Sequence, residues 1–285
     1  MSPAAWGRRV AGRAALLVGF VTLLFVLVCV ARDGVCLRAY AWQPGVGYAP
    51  SAERCAEAPG VVEGIGFAAR ATGGALIGRS GRSREDATRS LAGLLWRRGA
   101  RSAGVFGIAL LILFGIARFA PRRALPGGLP LPVAGFAVFA LVLRLTPPGS
   151  ALDYDRAGIL WAGLALALAD GVARVLVDGL RGTRERERRR PWAEHHALLG
   201  VDPEPTVAEV TAPQRALQVR GALVGLLGGL VVVEAIFGVN GLGETLKDLV
   251  VDSAGLDALL LLGVLGCFAA VVLLIDLLPI ERALS

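Results

Sequence analysis

The chain has 285 residues, 55% of them hydrophobic and 19% charged, with a formal net charge of +7 and a mean hydropathy of +0.62. That is more apolar surface than a water-soluble domain of this length hides, so a soluble fold is excluded and a polytopic membrane protein is the default. The positive balance is carried by arginine, with Lys247 the one lysine. No aromatic interleaving or nucleic-acid fingerprint accompanies it, so nucleic-acid binding is set aside as well.

Arg8, Arg9 and Arg13 precede an uncharged apolar run over residues 14–31. The run is long for a signal-peptide core and lacks a clear small-residue cleavage site, so it predicts a first span with the N-terminus in the cytoplasm. Residues 1–31 are therefore read as a cytoplasmic end and first helix, and residues 32–101 as an external polar insert rich in Pro and Gly. Cys36 and Cys55 share that insert. Facing an oxidising compartment they are placed to pair, closing a loop worth roughly 3 kcal/mol, and two separate thiols are the alternative. Cys29 and Cys267 lie inside apolar runs and read as small core residues. Gly64, Gly66 and Ala69 have a Gly-x-Gly-x-x-Ala spacing. The surrounding strand, turn and helix of a dinucleotide site are missing from the pattern, so that reading is rejected.

Residues 102–285 form the helical core. Spans are expected over residues 103–117, over a short stretch at 129–143, over 157–177, over 221–233 and over 258–275. With the first run they make about six transmembrane helices in an all-α polytopic fold. Asp170, Arg174 and Asp178 recur at i, i+4 and i+8, which lines one helix face with an acid-base-acid ladder, read as structural ion pairs. The arginine-rich run at 181–190 is assigned to topology: cations flanking the spans place both termini in the cytoplasm, against the objection of Arg97, Arg98 and Arg101 on the other side.

Between the fourth and fifth spans lies EHHALLGVDPEPTVAEVTAP, residues 194–213. Pro191 suits a helical first turn, Glu194 suits the positive end of a short helix, and Gly200 permits reversal, so a short helix is predicted over 191–199. The spacing of Glu194, Gly200, Val210 and Pro213 resembles the EAA loop of ABC importer permeases, with His195 and His196 in place of the two alanines. Two further stretches resemble the dipeptide, oligopeptide and nickel branch of that family. One is GGALIGRSGRSREDATRSLAGLLWRRGARS at 73–102. The other, GGLVVVEAIFGVNGLGETLKDLVV at 228–251, is similar to the end of the family's fifth core span, with Asn240 where the family has Pro. Asp257 and Asp276 resemble anchors of its last span.

The resemblance implies the type I ABC importer transmembrane fold, with residues 181–215 as a cytoplasmic coupling loop. It implies that Glu194, His195, His196, Ala197, Gly200, Val210 and Pro213 face an ATPase subunit, and that Glu234, Phe237, Asn240, Gly241 and Gly243 form an external loop or part of the path. It implies partners: ABC ATPase subunits that hold ATP and Mg, a second homologous permease, an extracytoplasmic substrate-binding protein and the lipid of a bacterial inner membrane. No cofactor is expected on this chain, which has no phosphate-loop motif. An enzyme built on His195 and His196 is disfavoured, because adjacent helical residues point about 100 degrees apart. The alternative is a degenerate permease-like subunit kept for assembly. The shortened third span and the His-His replacement point to it.

Overall fold

A computed structural model describes residues 3–31, 37, 40–44, 46–50, 60–83, 88–119, 130–145, 154–169, 172–251 and 257–280. Among the described residues the chain is predominantly helical, and four helical stretches are long and apolar enough to cross a membrane: Val10–Cys29, Leu91–Phe119, Glu204–Phe237 and Ala258–Leu277. Two shorter apolar helices, Leu131–Val142 and Gly158–Leu168, fall where the third and fourth spans are expected. The helical character agrees with the all-α expectation, and the polar insert adds a small antiparallel hairpin of β1 (Tyr40–Gln43) and β2 (Gly47–Pro50), with Tyr40 opposite Pro50 and Gln43 opposite Gly47. Aromatic residues at alternating positions and a Pro44–Gly47 turn make that local choice.

The chain divides into two compact units, the first made of residues 1–102 with 240–274, the second of 103–239 with 275–285. The first unit holds α1 (Pro3–Ala31), the hairpin, α2 (Val61–Leu76), the start of α3 (Leu91–Phe119), α10 (Leu242–Val251) and most of α11 (Ala258–Leu277). Its core gathers around Phe67 of α2, whose ring lies 5.9 Å from Phe25, 5.8 Å from Tyr40 and 4.5 Å from Tyr48. Leu91 and Leu94 of α3 and residues 258–262 of α11 complete it. The described part of the insert is thus packed on apolar helices.

Gly64, from the rejected dinucleotide spacing, sits in α2 with Val26 against its Cα face. Gly81, from the stretch resembling the permease family, has φ +80°, and a Cβ there would lie 2.6 Å from the Tyr48 carbonyl oxygen. Gly81 donates to Val46 at 3.0 Å and Arg82 donates to Tyr48 at 2.8 Å, so the segment is laced onto the hairpin where only glycine fits.

The second unit packs α4 (Leu131–Leu145) and α5 (Tyr154–Leu168) against the 34-residue α9 (Glu204–Phe237). The helix expected over 157–177 is divided: α5 ends at Leu168 and α6 (Val172–Val177) follows. Ala169 lies outside the helix, and Asp170 and Gly171, which follow in the sequence, are poor helix formers. A π-helical turn, Asp178–Gly182, joins α6 to α7 (Thr183–Arg188), and both lie along α9. Conversely α9 is longer than the span expected over 221–233, and it runs through Pro213. Pro213 is exposed, and nearby Thr211 Oγ1 donates back to the Val207 carbonyl at 2.8 Å.

Candidate functional site

The short helix α8 (Pro191–Leu198) has Pro191 at its start and Glu194 in its first turn, as its sequence predicts. Gly200, at φ +74°, ends it. Gly200 N–H donates to Ala197 and Val201 N–H donates to His196, at 3.1 and 3.0 Å, closing the last turn onto a left-handed glycine. Asp202 then accepts the Glu204 N–H at 3.0 Å, which starts α9.

The residues expected to face an ATPase are mostly on the surface. Glu194, His195, Ala197, Gly200, Val210 and Pro213 are exposed, while His196 is half-buried with its ring edge-on to Trp192 at 5.6 Å. Val210 and Pro213 lie inside α9 rather than in a loop. Beside them the structure adds what the sequence motif did not single out: Leu198 is 85% exposed, Leu199 65% and Val201 53%, so the tip of the helical turn is apolar. Three consecutive-looking aliphatics at 198, 199 and 201 were legible; their exposure was not.

Charge holds the base of this element. Glu204 pairs with Arg184 at 3.0 Å and with Arg188, and Arg190 pairs with Glu187 at 3.1 Å. The Glu204 hydrogen bond holds the Arg188 guanidinium above its ordinary pKa. The arginine run therefore ties α7 to the start of α9 in addition to any topological role.

The second group of sequence-selected residues is arranged differently. Glu234 is fully buried, at 0% exposure, and Phe237 is buried with its ring edge against Phe139 at 5.7 Å. Gly238 takes φ +60° and closes α9 on the Glu234 carbonyl. Beyond it, in the first unit, Asn240 is exposed while Gly241 and Gly243 are buried. Ser102 accepts the Leu242 N–H at 2.8 Å, Arg101 reaches the Asn240 carbonyl at 3.4 Å, and Arg98, 8% exposed, donates to Thr245 at 2.8 Å. Two of the three arginines that argued against the topology, Arg98 and Arg101, are thus engaged in holding this turn.

Arg174 is exposed on α6 and Asp178 opens the π-helical turn; Asp170 lies outside the described residues. Cys36 and Cys55 also lie outside them, and Cys29 and Cys267 are unbridged. Among the described residues no three His, Cys, Asp or Glu side chains gather as a metal site would require. Asp257 is a carboxylate well supplied with donors. It accepts from Tyr40 at 2.6 Å, from Ser83 at 2.5 Å and from the Leu260 N–H at 2.9 Å, capping α11. Sequence reading marked Asp257 as an anchor, without the two hydroxyls that come from far along the chain.

Fold and site together define a predominantly helical chain with, among the described residues, four membrane-length apolar helices and an exposed, apolar-tipped helical turn. No protein-family model matches the chain, and no curated protein matches it either.

Proposed function

We propose that this chain is a permease-type subunit of an ATP-driven ABC importer of the dipeptide, oligopeptide and nickel kind, with the 191–201 turn as the part gripped by a separate ATPase. The observation that supports this reading is the pairing of a stiffly capped two-turn helix with exposed Leu198, Leu199 and Val201. A fold does not gain from presenting aliphatics at the tip of a polar connector, whereas a partner's cleft does. Salt bridges from Arg184 and Arg188 to Glu204 brace its base, so a push on the turn is transmitted into α9. In this reading the four long helices and the two shorter apolar ones make six spans. Both termini are in the cytoplasm of a bacterial inner membrane, a second permease completes the path, and a binding protein delivers a peptide, metal chelate or other small solute. ATP and Mg stay on the partner.

One observation favours the second reading, a permease-like subunit kept for assembly. Helices α4 and α5 are each 15 residues, about 22 Å of rise against a hydrocarbon core near 30 Å.

The test is purification of the tagged chain from its native membrane, with ATPase activity assayed in the eluate. A functional permease brings down an ATPase whose turnover rises with binding protein, and Leu198→Asp removes the ATPase while leaving the chain in the membrane. An ATPase without stimulation supports the assembly role. Labelling of a cysteine at position 198 from outside intact cells overturns both readings.

A further inference from the structure

The second unit contains a cavity of about 460 Å³ that the transporter reading does not use. Its lining is mixed. Phe114 and Ala117, from the last turns of α3, and Leu180 are apolar. Arg118, Arg181, Arg184, Arg188 and Arg215 are cationic, and Glu185 is the acidic lining residue among those described.

The clustering follows from local geometry. Arg181, Arg184 and Arg188 are spaced i, i+3 and i+7 along one continuous helical stretch, so they rise up one face. Arg215, 7% exposed, comes from α9, against which that stretch packs. Arg181 donates to the Arg118 carbonyl at 3.0 Å, fixing the end of α3 to the wall. Glu204 answers Arg184 and Arg188 from the rim. Among the described lining residues five arginines stand with one carboxylate, Glu185, and Glu204 pairs with two of the five.

Arginines from three elements line the cavity. The Arg118 guanidinium stands 5.7 Å over the Phe119 ring and Arg181 holds the Arg118 carbonyl, which leaves Arg184, Arg188 and Arg215 as the forks best suited to the paired oxygens of a phosphate. The volume lies within the range of small-ligand sites. The apolar lining has a continuation: Phe114, 71% exposed, and Leu111, 73% exposed, stand one turn apart on α3 and form a hydrophobic track leading away from the cavity at the end of a membrane-length helix.

We propose that this cavity binds a phosphate group, with the phosphodiester of an anionic phospholipid as its source and the lipid's acyl chain lying along Phe114 and Leu111. Basic pockets at the ends of spanning helices hold anionic headgroups in this way. The site shares Arg184 and Arg188 with the brace at the base of α8, but binding there needs no ATPase and is measured without one.

The experiment uses the full chain in detergent, with phosphatidylglycerol, phosphatidylcholine and inorganic phosphate as separate probes. Native mass spectrometry reads lipid retention and thermal unfolding reads phosphate. Phosphatidylglycerol is expected to be retained over phosphatidylcholine, with the preference reduced roughly tenfold in Arg184→Gln/Arg215→Gln. Arg188→Gln, at the more exposed edge, reduces it less and serves if the double variant does not fold. Arg189→Gln, an exposed arginine of the same run that does not line the cavity, leaves the preference unchanged. Stabilisation by inorganic phosphate, lost in the same variants, with no lipid preference, upholds the phosphate site and assigns it a soluble source. Equal retention of both lipids with no phosphate effect overturns the proposal, and so does a preference that Arg189→Gln lowers as much as the cavity variants do.

Discussion

The stretches at 191–213 and 228–245 are handled in opposite ways. The first is exposed along most of its length, held at its base by ion pairs and tipped with exposed aliphatics. The second is inward: Gly229, Glu234 and Phe237 are buried in one unit, while Gly241, Gly243 and Thr245 are buried in the other. Packing is a sufficient reason for the residue types in the second stretch, since small residues, an aromatic and a glycine turn are what close approach demands. Packing gives no reason for Leu198 and Leu199 at the surface. The case for a partner therefore rests on the first stretch.

Four substitutions break or sharpen this contrast. Gly229→Phe has the largest expected effect. Even a Cβ there would lie 2.8 Å from Leu166 and 3.3 Å from Leu131, so a ring overpacks the α4, α5 and α9 contact and costs toward the upper end of about 1–3 kcal/mol, read as thermal stability in detergent. Thr245→Val comes next. It deletes the acceptor for buried Arg98 and the 2.5 Å bond to the Gly241 carbonyl, at about 1.5–2 kcal/mol for a bond to a charged group.

Gly200→Val meets no neighbour within 4 Å, so its cost is confined to the left-handed backbone at φ +74°, about 1–2 kcal/mol. On the proposed coupling role, its larger expected consequence is loss of ATPase co-purification. If it lowers stability as much as Gly229→Phe, the 191–213 turn is part of the packed core and the contrast fails. Glu244→Gln is the smallest. Burial, and then Asp248, raise the Glu244 pKa above the ordinary 4.5. A carboxyl raised in the folded state favours folding when protonated and costs free energy once pH exceeds its folded pKa. The variant should therefore unfold at slightly higher temperature than the parent at neutral pH, by a fraction of a kcal/mol for so partly exposed a group. It should match the parent below the ordinary carboxylate range, and a gap unchanged with pH would refute the cause.

Local features of the chain were legible where local physics decides. Pro191 and Gly200 bracket α8 because one suits a first helical turn and the other a left-handed cap. Long uncharged runs became long helices because burying or immersing their side chains in lipid is the favourable outcome. The hairpin at 40–50 was hidden among prolines and glycines, since two four-residue strands carry too little pattern to stand out. The break after Leu168 was hidden by an apolar run that looked continuous.

What the order of residues determined alone is a hydrophobic, helix-rich chain with a capped polar turn between two apolar stretches, because composition, periodicity and caps act over a few residues. Tertiary structure decided the rest. Tyr40 meets Asp257 across 217 positions, Arg98 meets Thr245 across 147, and arginines from α3, α7 and α9 converge on one cavity. Such meetings depend on how helices pack, and packing is set by the fit of whole surfaces rather than by any segment read by itself.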